Sequence, residues 1–266
     1  NTKLNYSRGF RAPNISEIGS NGVHEGTIRY EIGDPNLKAE SSFQLDYELG
    51  YNTDHVNAKV NLFANNISNY IFSRKLSSVL GGDSIADEVS VYKFDSGNAQ
   101  LIGGEASIDI HPHPWDWLHF ENSFSYVNAE LRNQSDSTRY LPFMPGAKLK
   151  SNLRADFDHI GSYVKNGFVS VGLEHYFAQN KVYSAYGTEA TTPAYTLLNA
   201  SIGGDVLFKK KTLCSLYIIG NNLADVAYQS HLSRLKYAAV NNISGNTGVY
   251  NMGRNISIKL IVPMER

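Results

Sequence analysis

The sequence predicts an all-β fold, an antiparallel β-barrel whose strands cross a membrane, and three observations carry that prediction. Apolar and polar residues alternate with a period of two in segment after segment, the pattern of strands with unlike faces. The connections between those segments are alternately short and long, without exception. No run of 18 or more apolar residues occurs, so no helix spans a bilayer, yet a tilted strand of about ten residues is long enough to do so.

Segment 42–51 shows the alternation most clearly. Phe43, Leu45, Tyr47, Leu49 and Tyr51 point one way from a strand, and Gln44, Asp46 and Glu48 point the other. Taken alone, it reads more readily as a half-buried strand of a soluble sandwich. Nine further segments change that reading. The ten predicted strands are 2–7, 41–51, 56–67, 101–110, 117–131, 147–157, 167–177, 194–207, 212–221 and 254–262. In the third, Val56, Ala58, Val60, Leu62 and Ala64 alternate with Asn57, Lys59, Asn61 and Asn65. Leu149, Leu153 and Phe157 likewise oppose Lys148, Lys150, Asn152, Arg154 and Asp156. Segment 212–221 is apolar on both faces and carries less of the argument.

Between strands, 52–55, 111–116, 158–161 and 208–211 are short, whereas 8–40, 73–100, 132–146, 179–193 and 222–253 are long. A soluble sandwich has no reason to collect every long loop at one end. An outer-membrane barrel does, with short periplasmic turns and long extracellular loops. The short connections hold Asn, Asp, Gly and Pro, which suit tight turns. The inward faces then carry Asp46, Glu48, Lys59, Glu105, Asp109, Glu121, Lys150 and Arg154, a set that calls for a wide, wet lumen.

The formal net charge of -1 and the scattered Lys and Arg give no nucleic-acid signal; Lys209-Lys210-Lys211 fits a turn. The single cysteine, Cys214, excludes an intrachain disulfide and a cysteine-rich metal site. Tyr 17 and Phe 12 make an aromatic content suited to strands and to a membrane–water boundary. No catalytic elbow, Walker loop, dinucleotide fingerprint or zinc-protease helix occurs, so no catalytic residue, cofactor or enzymatic activity is expected. His111 and His113, separated by proline in a turn, lack a third ligand and are read as solvated. The carboxylates of 81–88 lack the spacing of a calcium loop.

Residues 6–13 read Tyr-Ser-Arg-Gly-Phe-Arg-Ala-Pro, and residues 33–40 read Gly-Asp-Pro-Asn-Leu-Lys-Ala-Glu. With Phe63-Ala-Asn-Asn-Ile-Ser-Asn-Tyr-Ile71, Tyr195-Thr-Leu-Leu-Asn-Ala-Ser201, Gly220-Asn-Asn-Leu-Ala-Asp-Val-Ala-Tyr228 and Gly253-Arg-Asn255, the chain resembles the barrel of TonB-dependent outer-membrane receptors, in Bacteroidetes-like form. The resemblance covers essentially the whole chain. It implies that residues 1–266 are the C-terminal portion of one 22-stranded barrel, without its N-terminal plug, TonB box and earlier strands. It also implies import of a scarce nutrient across the outer membrane of a Gram-negative bacterium. That nutrient is an iron–siderophore, haem, cobalamin or glycan. The implied partners are outer-membrane lipid, the chain's own plug, the TonB complex of the inner membrane, and a small-molecule or metal-chelate ligand. The family finishes on an aromatic residue, whereas this chain finishes Val262-Pro-Met-Glu-Arg266. A passive channel or adhesin made of ten strands is the alternative, and it requires 2–7 to pair with 254–262.

Within the 6–13 motif, Gly9 and Pro13 are expected to shape the strand exit, and Arg8 and Arg11 to satisfy nearby carboxylates. Ligand contact is expected in the long loops, at His24, Glu25, Arg29 and Tyr30, at Tyr183 and Tyr186, and at His231, Arg234, Lys236 and Tyr237. Aromatics beside cations suit an anionic iron chelate, a porphyrin or a sugar.

Overall fold

The computed structural model describes residues 1–132, 136–209 and 211–263. Lys210 of the basic turn, Asn133 and the closing residues 264–266 lie outside the described residues. Thirteen strands occur among the described residues: β1 (Thr2–Arg11), β2 (Asn21–His24), β3 (Arg29–Ile32), β4 (Glu40–Asn52), β5 (Val56–Lys75), β6 (Ile85–Ala86), β7 (Val89–Ile110), β8 (Leu118–Leu131), β9 (Lys148–Ile160), β10 (Val164–Tyr176), β11 (Tyr195–Phe208), β12 (Lys211–Asn221) and β13 (Asn255–Ile261). Ten of them form one sheet in the order β1-β4-β5-β7-β8-β9-β10-β11-β12-β13, each antiparallel to the next. These are the ten strands predicted from alternation.

Register lines the faces up across the sheet. Leu4 lies opposite Tyr47, Tyr47 opposite Leu62, Leu62 opposite Gly104 and Gly104 opposite Tyr126. The other face is polar and cross-linked. Glu48 takes Lys3 at 3.0 Å and Lys59 at 2.9 Å, Lys148 pairs with Glu174 at 2.7 Å, and Arg154 pairs with Asp156 at 2.7 Å. Leu45 and Leu49, paired on both sides within the sheet, are each 46% exposed. So are Ile102, Leu153, Val171, Ile202 and Ile258 to similar or greater degree. Among the described residues no second layer packs on this apolar face, as one would in a soluble sandwich. No helix among the described residues is long and apolar enough to cross a membrane.

The sheet is open: among the described residues β1 and β13 do not pair. The closed ten-stranded barrel of the alternative reading is therefore not formed.

Four details depart from expectation. β5 continues to Lys75 and β7 begins at Val89, so the 73–100 loop is largely a hairpin stem. A register shift between Ile67 and Tyr70, with Asn69 at φ 56, interrupts the alternation where the sequence suggested an end. β6 and β7 join through Asp87 and Glu88, both at positive φ, which gives the hairpin twist without glycine. β3 pairs parallel to β7 through Tyr30, Glu31 and Ile32, so one loop strand folds down onto the protruding stem. The remaining expected strand bounds shift by a few residues at most.

Replacing Leu45 by Arg puts a charge on the hydrocarbon side and is expected to destabilise the inserted barrel by about 2–4 kcal/mol. Gln44→Arg, facing the wet side, is expected to leave it intact. Heat-modifiable gel migration of the full-length protein in outer-membrane fractions measures the difference; equal folded fractions would remove the two-sided assignment.

Candidate functional site

The long loops gather at one end, and carboxylates organise them. Arg11, at the end of β1, donates from Nε and Nη2 to Glu40 at 2.9 and 2.7 Å, and from Nη1 to both oxygens of Glu17 at 2.9 and 2.8 Å. Glu17 belongs to α1 (Ile15–Gly19), whose Asn14 N-cap and Glu17 form a capping box. Glu40 also accepts the Ile71 amide at 2.8 Å. Gly33 closes this unit: its amide donates to the Ser20 carbonyl at 2.8 Å, and a Cβ there would stand 2.5 Å from the Ile18 carbonyl carbon. The two sequence motifs are thus one structural unit, with Arg11 pairing carboxylates as expected. Arg8 does not. It alternates onto the apolar face and lies over the Phe43 ring at 4.9 Å, because Arg8 and Arg11 are separated by an odd number of strand positions.

Glu189 is the second organiser. Its side chain is fully buried, and it accepts the Phe143 amide at 2.8 Å, the Tyr183 amide at 3.0 Å and His231 Nε2 at 2.8 Å. Thr192 Oγ1 sits 2.8 Å from His231 Nδ1 and accepts from Lys236 Nζ at 2.8 Å. Loops 132–147, 177–194 and 222–254 are thereby tied together. Beneath them lies a small apolar core of Ala99, Ala129, Leu131, Leu141 and Tyr183.

Between the loops opens a cavity of about 490 Å³, lined by Arg29, Lys75, Asp83, Tyr92, Phe143, Arg234 and Tyr237 among others. Arg29 is 6% exposed, lies over the Tyr92 ring at 4.8 Å and gives Nε to Glu31 at 2.7 Å. Its buried Nη1 has no hydrogen-bond partner. Arg234 lies 5.1 Å over Phe143; burial, with the neighbouring Arg29 guanidinium, pushes it below its ordinary value. Burial raises the Tyr237 phenol to about 12, and its oxygen accepts the Ala190 amide at 3.1 Å. Arg29, Lys75 and Arg234 line this cavity, with Lys75 paired to Asp83 and Arg29 paired to Glu31.

Of the residues expected from sequence, the structure brings Arg29, Arg234 and Tyr237 together in this cavity. His231 and Lys236 are buried in the Glu189 network, and Tyr183 is packed 5.7 Å from Phe72 in the core. Tyr186 is exposed, at positive φ, under Arg74 at 4.9 Å. His24 and Glu25 are exposed at the β2–β3 turn, where His24 Nδ1 lies 3.2 Å from Thr27 Oγ1, and Tyr30 donates to Asn21 at 2.9 Å. Lys75, Tyr92 and Phe143 line the cavity unforeseen. Lys75 and Tyr92 lie on the hairpin stem that was read as loop; Phe143 and Glu189 have no periodic context that marks them.

Over residues 1–243 the chain matches the family described as TonB dependent receptor-like, beta-barrel. The chain belongs to that family of receptor barrels. Among solved structures it is similar to the copper transporter OprC, with TM-score 0.77, 17% identity, and 98% of this chain covering 37% of that one. It is also similar to the FrpB iron transporter from Neisseria meningitidis, with TM-score 0.64, 12% identity, and 97% of this chain covering 36% of that one. The ferric enterobactin receptor PfeA from Pseudomonas aeruginosa aligns at TM-score 0.62 and 18% identity, 98% of this chain covering 38% of that one. The chain thus spans little over a third of the length of these structures, and the likeness shows a shared fold.

Two outcomes follow for the loops. Glu189→Ala strips two amides and an imidazole of their acceptor, and the loops are expected to open more easily by about 3–5 kcal/mol, with Glu189→Gln costing less. Hydrogen exchange at residues 143 and 183 in the full-length receptor measures it; unchanged protection would deny Glu189 its role. Burial alone would raise the Glu40 carboxyl, but Arg11 and the Ile71 amide outweigh it and hold it below the ordinary range. A depressed value means that this contribution is complete above the unfolded carboxylate range and is lost as pH falls through the folded value. Protection of segment 12–39 is therefore expected to decline in acid, and Arg11→Met is expected to abolish that pH dependence.

Proposed function

We propose that this chain forms the C-terminal part of the barrel wall, and about half of the outer vestibule, of a receptor that imports a scarce, anionic nutrient across the outer membrane of a Gram-negative bacterium. The open sheet supports a wall completed by further strands, and its wet face supports a plug within. Energy for import comes from the TonB complex acting on that plug. The role is transport rather than catalysis, and lipid surrounds the apolar face.

The observation that carries the ligand class is the cavity lined by Arg29, Arg234, Tyr92, Phe143 and Tyr237, where the Arg29 charge stands close enough to push Arg234 below its ordinary value. A negatively charged metal chelate meets both demands, since its charge pairs with guanidinium and its rings stack on Tyr92, Phe143 and Tyr237. The names of the structural neighbours, a copper transporter and iron or ferric-siderophore receptors, agree with a metal-linked cargo.

Deleting the full-length gene is expected to abolish growth on one anionic iron chelate as sole iron source, and the loss is expected to require TonB. Complementation with Arg29→Ala/Arg234→Ala is expected to weaken chelate binding at least tenfold, about 1.4 kcal/mol, at normal receptor abundance. Growth unaffected on iron chelates, haem, cobalamin and glycans alike would end the importer reading.

A further inference from the structure

The short-turn end of the sheet carries a cluster that neither the wall nor the vestibule uses. His55 lies in the turn between β4 and β5. His111, His113 and Asp116 lie in the connection between β7 and β8, and Asp109 and His119 flank it on those strands. The sequence left His111 and His113 without a third ligand. The fold supplies one, because β5 pairs with β7 and brings His55 alongside.

Donor atoms of His55, His111 and Asp116 all lie within 4.8 Å of one another, and so do those of Asp109, His111 and His119. His111 belongs to both sets. The backbone fixes the first set in place: the His111 amide donates to the His55 carbonyl at 3.0 Å. Amides of Trp115 and Leu118 donate to the carbonyls of Pro112 and Trp115 at 2.6 and 2.8 Å, which folds Asp116 back towards His55. Asp116 stands between two imidazoles, 3.3 Å from His55 Nδ1 and 3.2 Å from His113 Nδ1. The His55 ring is 6.1 Å from that of His111 and 5.9 Å from that of His113.

Tetrahedral zinc takes imidazole and carboxylate donors at about 2.0–2.2 Å, so its ligand atoms must stand roughly 3–3.5 Å apart. Side chains of His55, Asp116 and His113 are 47%, 54% and 73% exposed, which leaves them free to rotate over the remaining ångström or so. Imidazoles with one carboxylate favour zinc, copper or nickel over calcium and magnesium, which want oxygen.

We propose that His55, His111 and Asp116, with a water in the fourth position, form a binding site for a divalent transition-metal ion at the short-turn rim, cross-linking two successive turns. Metal binding there does not depend on the import reading; only the name periplasmic for this rim does.

The test uses the full-length receptor, purified in detergent without a polyhistidine tag, stripped with a chelator and titrated with zinc chloride against a chromophoric zinc indicator. One zinc per chain is expected at this site. His111→Ala and Asp116→Asn are each expected to weaken it at least tenfold, with folding verified by heat-modifiable migration. Asp109→Asn, in the alternative set, and His159→Ala, at the end of β9, are expected to leave it unchanged. Zinc uptake unaffected by His111→Ala would overturn the site. Loss on Asp109→Asn with Asp116→Asn silent would overturn this ligand set.

Discussion

A peptide group in hydrocarbon has no water to bond, so its amide and carbonyl must find partners within the chain. The rest of this structure depends on that constraint. It forces long, uninterrupted ladders, and ladders impose a side-chain period of two. Each strand then shows one apolar face and one polar face. Leu4, Tyr47, Leu62 and Tyr126 follow on the first; Lys3, Glu48 and Lys59 meet on the second. Much of the charge on the polar face is held in ion pairs between strands, such as Lys3 and Lys59 with Glu48, and within a strand, such as Arg154 with Asp156.

At the loop end the ladders stop, and carboxylates take over the work of satisfying backbone amides. Glu40 accepts Ile71, Glu17 accepts Asn14, and Glu189 accepts Phe143 and Tyr183. Each carboxylate is itself held by Arg11 or His231. Long loops of polar composition become a fixed vestibule by this means, without a large apolar core.

Much of the wall was legible in the sequence because membrane insertion writes itself as alternation. All ten strands, the face of Leu45 against Asp46, and the sides of the short and long connections follow from that one pattern. It failed where the ladder leaves the membrane. Beyond the irregularity at Ile67–Tyr70 the stem of β5 and β7 no longer needs an apolar face, so its pattern fades although its pairing continues. The vestibule was legible only as composition. Arg29, Arg234 and Tyr237 converge, whereas His231, Lys236 and Tyr183 are drawn into the scaffold by Glu189 and the core. Nothing in the residues around 189 announces a carboxylate shared by three loops. His111 and His113 were readable as ligands only once the pairing of β5 with β7 supplied His55.

The central claim is that one face of this sheet lies in hydrocarbon and the other in water. Nitroxide scanning of residues 43–49 in the full-length receptor, reconstituted in bilayers after replacing Cys214 by Ser, tests it most directly. Collision with oxygen should peak at 43, 45, 47 and 49, and collision with a water-soluble nickel chelate should peak at 44, 46 and 48. A flat profile, or nickel access at 45 and 47, would contradict it.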